Sequence, residues 1–425
     1  MLQGVAVGKK PLSDYTHICG RALIDEIREL AEPLKGMRVA HISATAFGGG
    51  VSEILYTLVP LMRDLGIDCE WQVIYGREEF FNATKLMHNS LQGAQAAVSD
   101  EQWDVWWRYN EMNARELPDG LDVCVVHDPQ PAALHTLAPE KARGWVWRCH
   151  IDLSTPNPAT IARLMPHIRD YPHTLFHLAA FVPDGMRGQV NLVPPAIDPL
   201  APKNMALSPD EASFVCAQLG IDTSRPLICQ VSRFDPWKDP LGVIDAYRLV
   251  KREHPGLQLA LVGSMAHDDP EGVEFWNQTV AYADNDPDVF TLSNLNNVGS
   301  VEVNAFQVHS AAVIQKSIRE GFGLTVSEAL WKARPTVAGR AGGIVTQIED
   351  GVSGWLVDSS EQCAAACLEI LADPVAARGR ALVGKEAVRR RFLTPRLLRD
   401  WLALFNRLLE TGVDGADLEV VAAAS

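Results

Sequence analysis

The sequence predicts two doubly wound α/β domains in series, and three observations support this fold class. The chain has 425 residues, which is more than one ordinary hydrophobic core holds. Short apolar runs alternate with longer segments of helical period, and this alternation indicates parallel strands joined by crossover helices. A segment with four prolines at residues 193–203 interrupts the pattern, and the alternation then starts again.

The first half of the chain carries the apolar runs of one sheet. Strands are predicted at residues 38–44, 71–75, 122–127, 144–150 and 191–193. The last of these is expected to close the sheet. Residues 51–65 have apolar side chains at helical spacing, so a helix is predicted directly after the first strand.

The second half repeats the pattern. Strands are predicted at residues 227–231, 257–262, 289–292, 311–315 and 335–338. Residues 374–409 are largely helical in pattern, and residues 415–425 have the composition of a tail. Ligands of such sheets lie beyond the carboxyl ends of the strands, so two such edges facing each other would form one deep cleft.

The balance of charged residues excludes some classes of partner. Lysine and arginine number 38 against 53 aspartates and glutamates, which gives a formal charge of −15. Such a surface repels nucleic-acid backbones and anionic lipids, so we expect neither nucleic acid nor a membrane as the main partner. No apolar run approaches the roughly 20 residues of a membrane helix, and no apolar leader follows Lys10.

The eight cysteines are scattered and form no C-x-x-C pair. A zinc site is therefore not expected, and no metal-binding residue is predicted. Several cysteines lie in apolar runs, where they act as small buried side chains. This usage predicts a reducing, cytoplasmic location.

Three glycines, Gly48, Gly49 and Gly50, follow the first predicted strand. Glycine lets a ligand approach the backbone closely, and the helix expected from Val51 would point free N–H groups at an anion. The run either contacts a diphosphate or forms only a tight strand-to-helix turn, and the residues leave both interpretations open. It is not a Walker loop, because no Gly-Lys-Ser/Thr follows.

Two cations, Arg233 and Lys238, lie on the loop that leaves the strand at residues 227–231. An arginine fork and a lysine point charge suit the oxygens of a diphosphate. The alternative is a pair of solvated surface cations. Their position beyond the carboxyl end of a parallel strand favours the binding role.

The segment EGFGLTVSE begins at Glu320, in the turn before a helix predicted to run to Ala333. The amides near Leu324 and Thr325 would face an anion at the start of that helix. Glu328 follows about two turns later, and a carboxylate accepts hydrogen bonds from two sugar hydroxyls. The alternative is that Glu320 only complements the helix dipole, which the two glycines in the segment disfavour.

Two neighbouring predicted strands in the first half end in polar side chains. His127 and Asp128 end one of them, and Arg148, His150 and Asp152 end the next. A lone histidine is more often structural than functional. Polar clusters at adjacent carboxyl ends, however, mark a site more often than they mark packing.

These residues resemble those of the retaining glycosyltransferases of family 4, which have the GT-B fold. Glu320 and Glu328 look like the E-x7-E motif of that family, and Arg233 and Lys238 look like its diphosphate-binding pair. Together the similar residues span about residues 38–409, nearly the whole chain.

Two further segments share this resemblance. Residues 193–198 are similar to the family's segment before the domain crossover, and Gly342 and Gly343 are similar to its glycine pair near the donor. The resemblance implies two Rossmann-like domains that face each other across a cleft. It implies an acceptor-binding domain at residues 1–198, a nucleotide-sugar-binding domain at 199–390, and a C-terminal helix returning towards the first domain, plus a tail, at 391–425.

The N-terminal half is similar, more narrowly, to trehalose glycosyltransferring synthases. The similar blocks are residues 47–55, 79–93, 127–131 and 147–152. This resemblance implies transfer of glucose from a nucleoside-diphosphate glucose to free glucose, which gives α,α-trehalose with retention. Fungal trehalose phosphorylases are similar in the same blocks but are usually longer chains.

The resemblance also implies roles for the predicted site residues. The catalytic set is Glu320, Arg233, Lys238 and His127. The donor-binding set is Gly49, Gly50, Arg233, Lys238, Glu320, Gly321, Phe322, Gly323, Leu324, Thr325 and Glu328. The acceptor-binding set is His127, Asp128, Arg148, His150 and Asp152. No nucleophile is assigned, because the family is thought to attack from the face of the leaving group.

Partners and alternatives follow from the same resemblance. No tightly bound cofactor is expected, and the nucleotide sugar and a small sugar are the expected substrates. Whether Mg²⁺ stimulates the reaction and whether the protein forms a homodimer both stay open. The alternative functions are a trehalose phosphorylase, a family 4 enzyme with another acceptor, and a non-catalytic nucleotide-sugar sensor. A dinucleotide-dependent oxidoreductase is disfavoured, because no G-x-G-x-x-G with a following acidic residue is present.

Overall fold

The computed structural model describes residues 2–263, 270–410 and 421–422. The chain divides into two compact units. The first unit comprises residues up to 196 and the chain from 394 onward, and the second unit comprises residues 197–393. The tail predicted at residues 415–425 lies outside the described residues, apart from 421–422.

The strands are short and alternate with helices along the chain. They are β1 (Gln3–Gly4), β2 (Arg38–Ser43), β3 (Asp68–Val73), β4 (Leu121–His127), β5 (Ala142–Arg148), β6 (His173–Phe176), β7 (Gln189–Leu192), β8 (Leu227–Val231), β9 (Gln258–Gly263), β10 (Val289–Ser293), β11 (Ala312–Gln315), β12 (Thr336–Gly339), β13 (Trp355–Val357) and β14 (Val421–Ala422).

The α-helices lie between these strands, and the last three follow one another between β13 and β14. They are α1 (Thr16–Cys19), α2 (Arg21–Ala31), α3 (Gly50–Asp64), α4 (Glu78–Leu91), α5 (Asp100–Ala114), α6 (Leu134–Leu137), α7 (Pro158–Ile168), α8 (Pro209–Gln218), α9 (Pro240–Lys251), α10 (Pro270–Tyr282), α11 (Ser300–His309), α12 (Leu324–Trp331), α13 (Ser360–Ala372), α14 (Pro374–Arg391) and α15 (Thr394–Glu410).

The first unit is built on a sheet with the strand order β1-β3-β2-β4-β5-β6-β7-β14. All neighbouring pairs in it are parallel except β1 with β3. Parallel strands bring their carboxyl ends to one edge, so the residues that follow β2, β4 and β5 lie close together. The register of β4 on β5 places His127 beside Arg148.

The second unit is built on a six-stranded sheet with the order β10-β9-β8-β11-β12-β13, and every pair is parallel. Its central strand β8 is buried along its whole length. Both faces of a parallel sheet are covered by helices, which explains why β8 is apolar at every position except Gln230 and does not alternate. The two sheets confirm the predicted fold class of two doubly wound, Rossmann-like α/β domains.

Helix α15 belongs to the first unit although the second unit precedes it in the chain. Its buried side chains are spaced as on one helical face, with Leu397, Leu398, Trp401 and Phe405 among them. The helix packs on α2 and α3, and Asn406 donates a side-chain hydrogen bond to the carbonyl of Leu30 at 2.8 Å. The apolar face of α15 therefore completes the core of the first unit.

The structure differs from the sequence-based expectation at several elements. It adds the strands β1, β6, β13 and β14, which have only two to four residues, too few for a periodic pattern to stand out. Since β14 pairs with β7, the prediction that residues 191–193 close the first sheet is wrong. The helix predicted to reach Ala333 ends at Trp331, because Ala333 has a left-handed φ of 50°.

None of the helices that the structure describes is long and apolar enough to cross a membrane.

Candidate active site

The carboxyl ends of β4 and β5 bring together the first group of predicted site residues. The backbone N–H of Asp128 donates to the carbonyl of Arg148 at 2.8 Å, and the backbone N–H of His150 donates to the Asp128 carboxylate at 2.6 Å. Asp128 has a φ of 64°, in the left-handed region that aspartate enters more readily than most residues. These bonds lock the two strand ends together beside His127.

Three imidazoles form a hydrogen-bonded line at this edge of the sheet. Nδ1 of His41, on β2, lies 3.0 Å from Nε2 of His127, and Nδ1 of His127 lies 3.0 Å from Nε2 of His150. The rings of His127 and His150 are stacked, with centroids 5.3 Å apart. Both ring nitrogens of His127 are thus engaged and its side chain is 2% exposed, so a sugar reaches them only by displacing a histidine.

A small recess opens beside this line. Its empty volume, which includes open solvent, is about 230 Å³. The lining residues are Ile54, Leu58, His127, Arg148, His150, Pro195, Leu397 and Trp401. The recess is too small for a whole nucleotide sugar.

Helix α15 supplies part of this recess, which the sequence did not indicate. Leu397 and Trp401 line it, and the Trp401 ring lies edge-on to His41 with centroids 5.6 Å apart. Arg396, one residue earlier, donates to the carbonyls of Pro194 and Pro195 at 2.8 and 3.0 Å. The same side chain forms a buried ion pair with Asp400 at 2.7 Å, so the helix is held against the end of β7.

Burial sets the charge of this cluster. It lowers the pKa of His41 to about 3, and it lowers the pKa values of His127 and His150 well below their usual range, with the Arg148 cation contributing to both. Burial also lowers the pKa of Arg148 to about 9 and raises the pKa of Asp128 to about 7. At neutral pH the three imidazoles are therefore uncharged beside a cationic guanidinium.

Asp152, the last of the predicted acceptor residues, has a local partner. Its carboxylate accepts a hydrogen bond from the backbone N–H of Ser154 at 2.8 Å, and the side chain is 5% exposed. Such a contact two residues along the chain is an Asx turn. The bond shapes the loop after β5, and the role of Asp152 in acceptor binding stays a prediction.

The glycine run begins helix α3, as predicted. Gly48 has a φ of 78°, Gly49 is the N-cap of α3, and the Ser52 hydroxyl donates to the Gly49 carbonyl at 2.7 Å. Among the described residues, no atom lies within 4 Å of where a Cβ of Gly48 or Gly49 would stand. The backbone of this turn is therefore open to a ligand, and the left-handed φ of Gly48 requires a glycine.

In the second unit, two of the predicted catalytic residues contact each other. Nζ of Lys238 lies 2.6 Å from Oε2 of Glu320, and the Ser317 hydroxyl donates to the same oxygen at 3.3 Å. The two side chains are 15% and 11% exposed. The residue expected to bind a diphosphate and the residue expected to bind a sugar are therefore adjacent at the carboxyl end of β8 and β11.

The loop that carries Lys238 is held from several sides. The Gln230 side chain donates to the Lys238 carbonyl at 2.7 Å. Asp239 has a φ of 50°, caps α9 by accepting the N–H of Gly242 at 3.1 Å, and forms an ion pair with Lys316. Lys316 is itself buried at the end of β11, so the two strands fix the base of the Lys238 side chain.

Arg233, the other predicted diphosphate residue, is more open. Its guanidinium lies 3.3 Å from the carboxylate of Asp235, and its side chain is 45% exposed. A cation so placed can turn towards an anion at low cost. Its role in binding stays a prediction.

The glycine-rich turn before α12 packs directly on the Gly342–Thr346 helical turn. The backbone N–H of Gly343 donates to the carbonyl of Gly321 at 3.0 Å, and the Gln347 side chain donates to the carbonyl of Phe322 at 2.6 Å. Gly323 is the N-cap of α12 with a φ of 83°. The glycine pair that the resemblance implies near the donor, Gly342 and Gly343, thus contacts the turn before α12 within the second unit.

Helix α12 begins at Leu324, so the N–H groups of Leu324 and Thr325 belong to its first turn, where a helix attracts anions. Glu328 lies in this helix and is 1% exposed. Its carboxylate contacts Lys203 at 3.2 Å and accepts a hydrogen bond from the Gln307 side chain at 3.3 Å. A ribose that binds Glu328 must share this carboxylate with Lys203 and Gln307.

A second lysine stands behind this carboxylate. Nζ of Lys332 donates to the side-chain oxygen of Gln307 at 2.7 Å and to that of Asn204 at 3.0 Å. This fixes which end of the Gln307 amide faces Glu328. Burial lowers the pKa of Lys332 to about 7, while the nearby Glu328 carboxylate opposes that shift.

Sequence reasoning missed several residues of these clusters. Lys316 directly follows a predicted strand, and His41 is a polar residue inside an otherwise apolar strand, so each carried a local signal. No local signal in the sequence indicated Trp401, Gln307 or Lys203, because these residues lie far along the chain from the motifs that they contact. Among the described residues, no three His, Cys, Asp or Glu side chains are grouped so that they could hold a metal ion.

Two family models match the chain. The model described as "Trehalose synthase, N-terminal domain" matches residues 41–183, and the model described as "Glycosyl transferases group 1" matches residues 214–387. The first match contains the histidine line, and the second contains Lys238, Glu320 and Glu328.

Solved structures with a similar fold include two sugar-transferring enzymes. A sucrose-phosphate synthase from Thermosynechococcus elongatus has a TM-score of 0.69 and 17% identity, and the match covers 88% of this chain and all of that one. An α,α-trehalose 6-phosphate synthase from Burkholderia multivorans has a TM-score of 0.68 and 15% identity, covering 89% of this chain and all of that one. At these identities the likeness concerns the fold, which is GT-B.

Curated relatives are much closer in sequence. A trehalose synthase from Rubrobacter xylanophilus is 55% identical over 415 residues, covering 96% of this chain and 100% of the relative. A trehalose synthase from Pyrococcus horikoshii is 43% identical over 404 residues, covering 94% and 97%. A trehalose phosphorylase from Pleurotus pulmonarius is 29% identical and is matched over 55% of its length.

The fold and the group 1 domain define the chain as a GT-B glycosyltransferase. The sequence identity to the curated relatives shows the narrower family of the chain. The chain belongs to the trehalose synthase family.

Proposed function

We propose that this protein transfers glucose from a nucleoside-diphosphate glucose to free glucose with retention of configuration, and so forms α,α-trehalose. The observation that carries the proposal is the contact of Lys238 with Glu320, 2.6 Å apart at the carboxyl edge of the second sheet. Transfer of glucose needs a cation beside the leaving diphosphate. It also needs a carboxylate beside the hydroxyls of the transferred sugar, within one sugar length of that cation.

The donor is bound by the second unit. Lys238 and Arg233 stabilise the negative charge that grows on the diphosphate as its bond to the anomeric carbon breaks. The N–H groups at the start of α12 face the same anion. Glu320 accepts hydrogen bonds from the transferred glucose, and Glu328 accepts them from the ribose.

The acceptor is bound by the first unit. His150, which lines the recess, contacts sugar hydroxyls, and His127 holds it through their 3.0 Å hydrogen bond. Burial, with a smaller contribution from Arg148, keeps both imidazoles neutral. The acceptor oxygen attacks the anomeric carbon from the face that the diphosphate leaves, and the departing phosphate oxygen takes the acceptor's proton. No residue is assigned as a nucleophile, and no residue is assigned as a metal ligand.

A donor-by-acceptor screen tests this proposal. Purified protein is incubated with UDP-, ADP- and GDP-glucose and with glucose, mannose, glucose 6-phosphate or no acceptor, while released nucleoside diphosphate is measured. We expect release that depends on glucose, with a non-reducing disaccharide as product. Release that depends on another acceptor would keep the transferase and refute the acceptor assignment.

A phosphorylase is the second candidate, because fungal trehalose phosphorylases match 84% of this chain. It would form glucose 1-phosphate from trehalose and phosphate without any nucleotide. The relatives' name also fits an enzyme that isomerises maltose, so maltose without nucleotide is a further arm of the screen. Product in either arm, with none from nucleotide sugar, would replace the proposed reaction.

A further inference from the structure

The line of His41, His127 and His150 is more constrained than three separate side chains. Each pair is joined at 3.0 Å through one Nδ1 and one Nε2, always in the same order along the line. Because burial keeps all three rings neutral, each carries a single ring proton. A proton must lie between each bonded pair of nitrogens.

Only two arrangements of protons satisfy both hydrogen bonds. Either all three rings are protonated at Nδ1, so that His41 donates to His127 and His127 donates to His150, or all three are protonated at Nε2 and the direction is reversed. A mixed arrangement places two protons, or two lone pairs, against each other at one of the contacts. The tautomers of the three histidines are therefore coupled.

The two ends of the line are in different surroundings. At the inner end, Nε2 of His41 is buried and has no hydrogen-bond partner among the described residues. At the outer end, His150 is partly exposed and lines the recess together with Arg148 and Trp401. Since Nε2 of His150 is used by His127, Nδ1 is the nitrogen that His150 has left for a ligand.

We propose that the three histidines act as one neutral relay, in which His150 binds a hydroxyl of the acceptor sugar through Nδ1 and His41 is a positioning residue that holds the relay from behind. The proposal rests on the proposed function for the identity of the ligand. A hydroxyl both donates and accepts hydrogen bonds, so it can engage His150 in either direction of the relay. His41 acts by supplying the second hydrogen bond that fixes the ring plane and the tautomer of His127.

The first test needs no turnover. The protein is labelled with ¹⁵N at its histidine rings, and long-range ¹H–¹⁵N spectra report which nitrogen of each ring is protonated, with single variants giving the assignment. We expect the three histidines to share one tautomer, and glucose to shift the Nδ1 signal of His150. Different tautomers within the line, or a glucose-induced shift confined to other histidines, would overturn the proposal.

The second test separates positioning from packing. His41→Leu removes the hydrogen bond, whereas His41→Asn keeps an amide N–H near the place of Nδ1. We expect His41→Leu to lower kcat/KM for glucose roughly three- to tenfold, the worth of one hydrogen bond, mainly through KM, with the KM of the nucleotide sugar unchanged. His41→Asn should restore most of the loss.

His135→Leu is the matched control, because this histidine also packs in the first unit, against Trp145 and Tyr171, and does not line the recess. It should leave both KM values unchanged. An equal effect of His41→Leu and His41→Asn on folded protein would mean that the ring only fills space. If glucose is not the acceptor, turnover is absent in every variant while the shared tautomer is still observed, so the two proposals fail separately.

Discussion

The charged residues of the second unit are paired with each other before any substrate arrives. Lys238 neutralises Glu320, and Lys203 neutralises Glu328. Three of these four side chains are less than a fifth exposed, so leaving one partner alone is costly. A bound nucleotide sugar would exchange these internal contacts for its own phosphates and hydroxyls.

Replacement of Lys238 by methionine tests the first of these pairs. The variant keeps the apolar stem and loses the cation, so we expect kcat to fall at least about 100-fold, as for loss of one electrostatic donor. Glu320 is then left with the hydroxyl of Ser317, and the free energy of unfolding should fall by about 1–3 kcal/mol. Kinetics and urea unfolding measure the two effects, and unchanged kcat in folded protein would remove Lys238 from the site.

Replacement of Glu320 by glutamine separates sugar binding from nucleotide binding. The amide keeps the size of the side chain and loses its charge, so turnover should fall strongly while the Kd of free nucleoside diphosphate stays within about threefold. Calorimetry on the variant measures that Kd. Loss of nucleotide affinity with normal turnover at saturation would place Glu320 on the nucleotide.

Asp128 is expected to make stability depend on pH. Its folded pKa of about 7 lies above the ordinary value of 3.8, so the folded state holds the proton more tightly than the unfolded state does. This contribution to stability is fully present below about pH 4 and is lost as the pH rises through about 7.

Asp128→Asn provides the comparison, because asparagine accepts the same backbone hydrogen bond, tolerates the left-handed φ and does not titrate. We expect the stability of the native protein relative to this variant to decline between pH 4 and 7, by at most about 1.4 kcal/mol per pH unit. Urea unfolding across this range measures it. A constant difference would show that Asp128 ionises normally.

At the residue scale, the sequence indicates which side chains lie near each other where each of them follows a strand of the same sheet. Glu320 and Lys238 lie 82 positions apart, yet each directly follows a strand of one sheet, so strand order brings them together. No such rule locates Lys203 or Gln307, which reach Glu328 from elements outside the motif. The partners of a predicted residue depend on packing, which periodicity does not encode.

At the scale of elements, the turn before α12 and the Gly342–Thr346 turn depend on close backbone approach. A Cβ added at Gly343 would lie 2.7 Å from both the carbonyl oxygen of Gly321 and Cα of Phe322. Real Cβ atoms do not approach backbone atoms so closely, and backbone gives way less readily than a side chain. The two turns must separate if Gly343 gains a side chain.

Gly343→Ala is therefore expected to destabilise the protein by about 1–3 kcal/mol and to weaken nucleoside-diphosphate binding. Gly379→Ala is the matched control, because its Cβ would meet no atom within 4 Å on helix α14. That change should stabilise the protein by about 0.5–1 kcal/mol. Thermal unfolding with and without nucleotide measures both, and equal effects of the two substitutions would contradict this account of the turn.

Helix α15 supports the recess of the first unit through Arg396. Arg396→Met removes the buried ion pair with Asp400 and the bonds to the carbonyls of Pro194 and Pro195, and we expect a loss of roughly 2–4 kcal/mol. Arg399→Met is the control, because Arg399 contacts the same carboxylate from a side chain that is 27% exposed, and it should cost less than about 1 kcal/mol. Similar losses for both would show that the buried bonds to the carbonyls add nothing.

Elements with a strong apolar run were predictable, and others were not. Strand β8 has the bounds that the sequence predicts, because both faces are covered and all of its residues except Gln230 are apolar. Strand β13 was missed, since three residues do not establish a period, and β6 was missed because its first two residues, His173 and Thr174, are polar. The contribution of α15 to the recess was also missed, because inward-facing Leu397 and Trp401 look like any core residues.

At the scale of the whole molecule, the two parallel sheets give each unit one edge at which functional side chains collect. The first edge carries neutral imidazoles and a guanidinium, which suit uncharged sugar hydroxyls. The second carries lysines and helix N–H groups, which suit a diphosphate. This difference in charge between the two edges is the physical basis for assigning acceptor and donor to different units.

An isotope label on the acceptor's own carbon shows directly whether free glucose enters the product. Glucose labelled with ¹³C at C1 is incubated with unlabelled nucleoside-diphosphate glucose, and ¹³C and ¹H spectra of the product are recorded beside the nucleoside diphosphate released. The account predicts α,α-trehalose with one labelled anomeric carbon per molecule and one nucleoside diphosphate per disaccharide. A product without label, a β linkage, or disaccharide formed without nucleotide would contradict it.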